Sequence, residues 1–224
     1  MAYQFAAASS QYLSNNSSPL GSAPASFTLA SIVNGAAQDG TFVVSLGSPT
    51  SNNPVIALAT GASVANQNTS HLRGFIRRND LSYVSGNAVA GGAAGIAFNG
   101  SDNAIAMTYD GSNAATYVNG AVETNVSGAI STLSGLNRFA IGGLLRNSFA
   151  GAFNGRIAEV GIWNVALTAE EIASLAKGMT CDKVRPQSLV FYAPLVRNLI
   201  DYKGGLTITN NNTATVTNHP RVYA

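Results

Sequence analysis

The sequence predicts an all-β fold, an antiparallel sandwich of two sheets, and three observations favour it. Short segments with apolar residues at alternate positions recur along most of the 224 residues, as is typical of half-buried strands. Turn-forming pairs rich in Gly, Asn and Asp separate these segments. A single short helix interrupts the series. Many short strands at regular spacing are typical of a sandwich or jelly roll.

The strand segments follow one another from the beginning of the chain to its end. The hairpin at Asn119-Gly120 is the sharpest local prediction, because this pair supplies the two positive-φ residues of a type I′ turn. The predicted strands are residues 27–33, 41–46, 54–60, 72–78, 82–85, 94–98, 104–109, 115–118, 121–124, 137–142, 156–163 and 189–193, with weaker ones at 206–209 and 213–217. We expect the strand that begins near Ser188 to pair with the first strand.

The helix is predicted over residues 168–177. Thr168 and Glu171 form a capping box, in which the Thr hydroxyl accepts from the N3 amide and the Glu reaches back. Ile172 and Leu175 follow on one face. A helix of little more than two turns needs packing to hold it, and we expect it to pack on the edge of the sandwich.

Composition excludes several classes of protein. Charged residues are 10% of the chain, with 12 basic and 10 acidic side chains, against about 25% in an average soluble domain. This excludes a typical nucleic-acid binder, which neutralises phosphates with clustered Lys and Arg. Cys181 is the single cysteine, which excludes an intramolecular disulfide or a cysteine-rich zinc site, and we expect it to be inert.

The length favours one domain over residues 1–224, with 198–224 as a C-terminal extension. The first residues carry no basic region followed by an apolar run, so no signal peptide is predicted and synthesis in a cytoplasm is expected. No apolar window approaches the length of a membrane helix, and no membrane insertion is expected.

Residues 153–178 resemble the C-terminal signature of laminin G-like, concanavalin A-like jelly rolls, with an Ile-x-Glu-Val strand, an aromatic-Asn pair and a short capped helix. Residues 108–112 and 117–120 are similar to the central hairpin of that family. Residues 3–5, 10–13 and 27–31 are similar to its opening strands. The resemblance implies the same jelly-roll fold. A narrower resemblance, over 184–223, is to small single-domain proteins encoded by bacteriophages and prophages, and it implies a virion-associated setting.

The sequence departs from the family where acidic residues are common. Ala158 stands where an Asp is frequent, and Phe5 is followed by Ala and Ser rather than by acids. Calcium prefers several carboxylate or carbonyl oxygens together. These departures argue against the calcium site of some relatives, and no cofactor is predicted.

The residues for hydrolysis are missing. Glycoside cleavage needs two convergent carboxylates, and the one tight acidic pair, Glu170-Glu171, is explained by the start of the helix. Glu159 is the best single candidate, but a structural hydrogen bond is favoured for it because no acidic partner lies within strand spacing. His71 and His219 have no nucleophile nearby in sequence. No catalytic residues are therefore predicted, and the chain is expected not to be an enzyme.

Two groups of residues are candidates for binding. Arg73, Arg77 and Arg78 form the densest basic group, favoured as a solvated sheet face, with a contact between subunits as the alternative. A second group lies in turns, where local capping is favoured and a weak ion or sugar-hydroxyl site is the alternative. This loop group consists of Asp102, Asp110 and Asn113. The aromatic residues available beside it are Tyr83, Tyr109 and Tyr117.

Three functions are compatible with these features. The leading one is a non-enzymatic virion protein on the particle surface, most simply a capsid decoration or head-fibre-like protein. Its partners would be the major capsid protein and further copies of itself in a symmetric oligomer such as a trimer. The alternative is a glycan-binding tail or adsorption lectin for a host saccharide. A hydrolase is disfavoured by the missing carboxylate pair.

Overall fold

The computed structural model describes residues 2–61, 69–80, 83–87, 97–129 and 133–223. The first ten strands are β1 (Ala2–Phe5), β2 (Tyr12–Asn15), β3 (Phe27–Asn34), β4 (Phe42–Gly47), β5 (Val55–Thr60), β6 (Leu72–Arg77), β7 (Tyr83–Asn87), β8 (Asn103–Tyr109), β9 (Asn113–Val118) and β10 (Ala121–Ser127). The remaining elements are β11 (Arg138–Ile141), β12 (Leu144–Leu145), β13 (Phe149–Ala150), β14 (Gly155–Trp163), α1 (Ala169–Ala176), β15 (Leu189–Ala193), β16 (Thr209–Asn211) and β17 (Thr215–Thr217).

The strands form two antiparallel sheets and one small hairpin. The first sheet has the order β10-β9-β8-β3-β14-β1-β17, with β15 also paired to β14. The second sheet has the order β16-β2-β11-β4-β5-β6-β7, and β12 and β13 pair with each other. The predicted two-sheet jelly-roll sandwich with one helix is confirmed.

The main core lies between the inner faces of the two sheets. Large aromatic side chains fill it, and Phe139 of the second sheet meets Phe191 of the first edge to face at 4.7 Å between ring centroids. Period-two alternation puts the core residues of each strand on the same side. Ile105, Met107 and Tyr109 of β8 therefore all point inward and are fully or almost fully buried.

The helix α1 covers the outer face of the first sheet, so the prediction that it packs on the edge of the sandwich was wrong. Ile172 and Leu175 of the helix join a second apolar cluster with Trp163 and Tyr117 of the sheet. The Trp163 indole donates a hydrogen bond to the Val184 carbonyl at 2.8 Å. Both hydrogen bonds of the predicted capping box at Thr168 are present, so the helix prediction is confirmed.

The outer face of the second sheet is covered only in part. The short β12–β13 hairpin folds over it, and Leu144 packs there with Val55, Ala57 and Phe75. At the open side of this hairpin the rings of Tyr12 and Phe149 stack at 4.2 Å between centroids. The second sheet therefore presents an apolar patch under the hairpin and an uncovered region beside it.

The pairing predicted for the strand near Ser188 was wrong. β15 pairs with β14, at Gly161↔Tyr192, and β1 pairs with β14 further along the same edge, at Tyr3↔Ile157. The partner of β1 on its other side is β17. A register shift in β14 between Ala158 and Gly161 separates the two pairings. Polar tail residues thus add β16 to one sheet and β17 to the other.

Other local predictions have clear outcomes. Asn119 and Gly120 adopt φ values of 50° and 84°, as a type I′ hairpin requires. Of the strand predicted at 94–98, residues 94–96 lie outside the described residues, and Ala97 and Phe98 are buried but not in a strand.

No helix in the described part of the chain is long and apolar enough to cross a membrane.

Candidate functional site

Asp110 and Asn113 build a turn. The Asp110 carboxylate accepts hydrogen bonds from the backbone N–H groups of Ser112 at 2.8 Å and Asn113 at 2.7 Å. These bonds favour the charged form and lower the pKa of Asp110 to about 2. Asn113 in turn accepts from the Ser127 hydroxyl at 2.9 Å. Local capping of the β8–β9 turn explains both side chains.

Asp102 lies at the opposite end of β8. Its carboxylate pairs with Arg156 and accepts from the Asn34 amide at 3.0 Å. Eight residues of extended chain put Asp102 and Asp110 roughly 25 Å apart. The structure therefore does not bring the predicted loop group together into one site.

Two of the three aromatic residues considered beside those loops, Tyr109 and Tyr117, are buried. Tyr109 is fully buried, and its hydroxyl donates to the Gly111 carbonyl at 2.7 Å. Tyr117 is buried beneath α1. The side chain of Tyr83 lies outside the described residues.

The predicted arginine group is split by the end of β6. Arg73 and Arg77 lie on the outer face of the second sheet, where the Arg73 guanidinium sits 4.5 Å from the centroid of the Phe75 ring. Arg78 follows the strand and donates to the Ala129 carbonyl at 2.6 Å. The shared face of Arg73 and Arg77 agrees with the sequence pattern, and their contact between subunits stays a prediction.

Glu159 lies in a buried cluster. Its two carboxylate oxygens contact the Tyr192 hydroxyl at 2.8 Å and the His219 Nε2 at 3.2 Å. Burial, followed by the charge of Glu159, raises the pKa of Tyr192, which stays a hydrogen-bond donor. The Cys181 thiol donates to the Glu159 carbonyl at 3.6 Å, and burial raises the pKa of this thiol. The expected structural hydrogen bond of Glu159 is present.

His219 fixes the C-terminal tail to this cluster. Its Nδ1 lies 2.7 Å from the Pro220 carbonyl, and its Nε2 lies 3.0 Å from the Pro194 carbonyl. Every partner of the ring is an acceptor, which requires both nitrogens to donate and favours the imidazolium. Burial lowers the pKa of His219, but the hydrogen bonds to Glu159 and the two carbonyls outweigh it and raise the pKa overall.

Metal binding has little support among the residues that can be described. In those parts of the chain, no three His, Cys, Asp or Glu side chains come together where they could hold an ion.

The open region of the second sheet forms a polar cleft of about 590 Å³. It lies where β2, β11 and β16 run side by side, next to the β12–β13 hairpin. Leu13 of β2 points into the core, so Tyr12 and Ser14 point outward into the cleft. We call it the β2–β16 cleft. Its lining residues are Tyr12, Ser14, Asn15, Asn16, Ser17, Arg138, Leu145, Thr207, Thr209 and Asn211.

Hydrogen bonds hold several of these side chains in place. The Asn15 amide donates to the Thr207 carbonyl at 2.6 Å, and the Asn211 amide donates to the Ser14 hydroxyl at 2.9 Å. The stack on Phe149 fixes the Tyr12 ring. The cleft therefore combines an oriented aromatic ring with amide and hydroxyl groups, the chemistry that recognises a polar ligand with apolar faces.

Sequence reasoning missed this cleft because its residues come from distant segments. The alternation of Tyr12, Leu13 and Ser14 marks one outward row, and the tail rich in Asn and Thr marks another. Nothing in either segment shows that β16 pairs with β2 rather than lying free.

The comparisons with known proteins bear on the fold first. A laminin G-like family model, described as the concanavalin A-like lectin/glucanases superfamily, matches residues 7–173, more than half of the chain. The chain belongs to this family. No curated protein sequence matches the chain.

Solved structures similar to this family member include several with carbohydrate-related descriptions. A candidate carbohydrate-binding protein from Bacteroides ovatus matches with a TM-score of 0.68 and 18% identity, covering 100% of this chain and 61% of its own. The CBM40 module of the Ruminococcus gnavus IT-sialidase matches at 0.54 and 18%, covering 69% and 84%.

Domain 4 of a Geobacillus stearothermophilus extracellular arabinanase, in complex with arabinotriose, matches at 0.53 and 19%, covering 71% and 70%. At identities this low, the structural matches show that the fold is shared and nothing more. The chain spans only 61% of the Bacteroides protein.

Proposed function

We propose that the chain is a non-enzymatic carbohydrate-binding module and that the β2–β16 cleft holds the saccharide. The observation that carries this proposal is the aromatic ring of Tyr12, which is fixed in the lining of a polar cleft on the partly uncovered face of the sandwich. Descriptions of the Bacteroides protein, the CBM40 module and the arabinanase domain support it, since each concerns carbohydrate.

The lining of the cleft matches the chemistry of a sugar. A pyranose or furanose ring offers hydroxyl groups at its edge and C–H groups on its faces. Amide and hydroxyl side chains such as Asn15, Thr209 and Asn211 can both donate to and accept from sugar hydroxyls. The Tyr12 ring supplies a flat apolar partner for the C–H face.

A glycan array followed by titration calorimetry tests the proposal. Replacing Tyr12→Ala removes the aromatic partner, and we expect Kd for the best array ligand to rise at least tenfold. Tyr223→Ala is the matched control, because Tyr223 is 56% exposed and instead pairs with Met179, shortly after α1. The proposal fails if no glycan binds at millimolar concentration or if both variants bind like the original protein.

The non-enzymatic part of the proposal has its own assay. Glu159 has both carboxylate oxygens engaged by Tyr192 and His219, which leaves it unsuited to proton transfer with a substrate. We expect no reducing sugar to be released from any glycan that binds. If reducing sugar is released and Glu159→Gln abolishes that release, the chain is a hydrolase.

The virion setting expected from the sequence stays a prediction, because none of the matches described above concerns a phage protein. A glycan-binding module fits the adsorption-protein alternative better than the capsid-decoration interpretation. Quantitative mass spectrometry of purified particles separates them: a copy number near that of the capsid subunit favours decoration, and a few copies favour the tail.

A further inference from the structure

Two arginines occupy one row across the outer face of the second sheet. The register pairs Arg138 with Gly47, Gly47 with Val55 and Val55 with Arg77. A third arginine, Arg146 of the β12–β13 turn, lies over the middle of this row. A Cβ at Gly47 would be 3.2 Å from the Arg146 Cβ and 2.5 Å from the Leu145 carbonyl oxygen, so the missing side chain lets the turn approach.

One end of this arginine row, which consists of Arg138, Arg146 and Arg77, lies in the β2–β16 cleft. Arg138 lines the cleft, and it is the one charged residue among the described residues that do. Its guanidinium also donates to the Arg146 carbonyl, which ties the cleft wall to the hairpin. The positive charge is therefore held where a bound saccharide would meet the sheet.

Two members of the row, Arg138 and Arg146, carry positive charge that no acidic side chain in the described part of the chain offsets. None of the ion pairs found among the described residues involves Arg138 or Arg146. The buried Nε atoms of both also lack a hydrogen-bond partner there. Burial, followed by the positive charge of Arg77, lowers the pKa of Arg146. The Arg146 guanidinium donates to the Asn52 carbonyl at 3.3 Å, a neutral acceptor that does not offset its charge. An anion that reaches Arg138 and Arg146 would be stabilised by both charges.

We propose that the β2–β16 cleft takes an acidic saccharide, whose carboxylate or sulfate ester binds Arg138 and Arg146 while its hydroxyls meet the amide and hydroxyl groups of the cleft. The inference rests on the proposed function. A guanidinium offers a planar fork of donors that matches a carboxylate or a sulfate with two parallel hydrogen bonds. The neutral amide of Asn211 and the hydroxyl of Thr209 then form hydrogen bonds with the hydroxyl groups of the sugar ring.

The test uses matched triads on one array: a neutral glycan, the same backbone carrying a uronic or sialic carboxylate, and the same backbone carrying a sulfate ester. We expect at least tenfold tighter binding of an acidic member than of its neutral partner. Which acidic member binds identifies the source of the anion. Raising NaCl from 50 to 500 mM should weaken the acidic glycan several-fold and leave the neutral one nearly unchanged.

Two variants assign the effect to the row. Arg146→Gln should reduce affinity for the acidic glycan at least tenfold without changing affinity for the neutral one. Arg138→Lys keeps the charge but loses the fork, and should give an intermediate loss. Lys177→Gln is the control of equal charge change, since Lys177 is exposed at the end of α1 on the opposite face.

The outcomes separate the two proposals. Tighter binding of neutral than of acidic members overturns the acidic-saccharide inference and leaves the carbohydrate-binding function intact. Binding of no triad member overturns the function itself. Equal losses in Arg146→Gln and Lys177→Gln would mean attraction by net charge alone and would also overturn the assignment.

Discussion

The outer face of the first sheet lies under a capped helix, whereas the outer face of the second lies under two strands of two residues each. Between the helix and the sheet, the side chains of Trp163, Ile172 and Leu175 are fully or almost fully buried. Beside the hairpin, by contrast, a cleft of about 590 Å³ stays open. The helix-covered face works as a second core, and the hairpin-covered face keeps exposed polar groups in fixed positions, which is what a binding surface needs.

The largest effect should come from the helix-covered face. Trp163→Ala removes a fully buried indole and its hydrogen bond to Val184. We expect the free energy of unfolding to fall by about 3–5 kcal/mol, measured by urea denaturation. Val122→Ala, at a side chain that is 45% exposed, should change it little. A Trp163→Ala loss below 1 kcal/mol would remove the distinction between the faces.

The hairpin-covered face should show a smaller stability effect and a larger binding effect. Phe149→Ala removes the ring that stacks on Tyr12, and Phe149 is only partly buried. We expect a loss of about 1 kcal/mol, near the worth of an aromatic pair, together with a clear loss of glycan affinity. Calorimetry on the folded variant would contradict this if affinity were unchanged.

Variants at the N-cap of α1 test whether the stability of the helix affects glycan binding in the cleft. Thr168→Ala removes the hydroxyl that accepts from the Glu171 amide, and should lower the free energy of unfolding by about 1 kcal/mol. Thr168→Ser keeps the cap and should behave like the original protein. Glycan affinity should be the same in all three proteins, because the cleft is on the other sheet.

The smallest effect concerns pH and the tail. The pKa of His219 is raised in the folded protein, so its contribution to stability is fully present below the unfolded value of about 6.5 and is lost as pH rises through the folded value. Between pH 6 and 9, Tm should therefore fall more for the original protein than for His219→Gln. Parallel Tm curves would show that the imidazolium is not held by Glu159.

Local patterns in the sequence predicted local structure well. The Asn119-Gly120 turn and the Thr168 capping box depend on residues within a few positions of each other, and both are present. The burial of Tyr109 also follows from alternation, since Ile105 and Met107 on the same side of β8 are core residues. The interpretation of the loop group left the exposure of Tyr109 open, although this alternation already indicated that it is buried.

The cleft could not be predicted because its walls meet only through long-range pairing. Tyr12 and Asn211 come from near opposite ends of the chain and become neighbours by register, at Asn211↔Tyr12. The hairpin that bounds the cleft is too short to give a periodic signal. Arg138 likewise pairs with Gly47, against which Arg146 packs, and no spacing in the sequence indicates that these three residues are neighbours.

The shared edge of β14 sets how this chain can fold. The same edge accepts β1 along its first half and β15 along its second, so the central seam of the first sheet joins segments more than 150 residues apart along the chain, such as Tyr3 and Ile157. Closing such loops costs chain entropy before any strand contact compensates for it. Folding should therefore be slow, in the millisecond-to-second range of non-local β proteins. A nascent chain cannot complete this seam until residue 193 has left the ribosome.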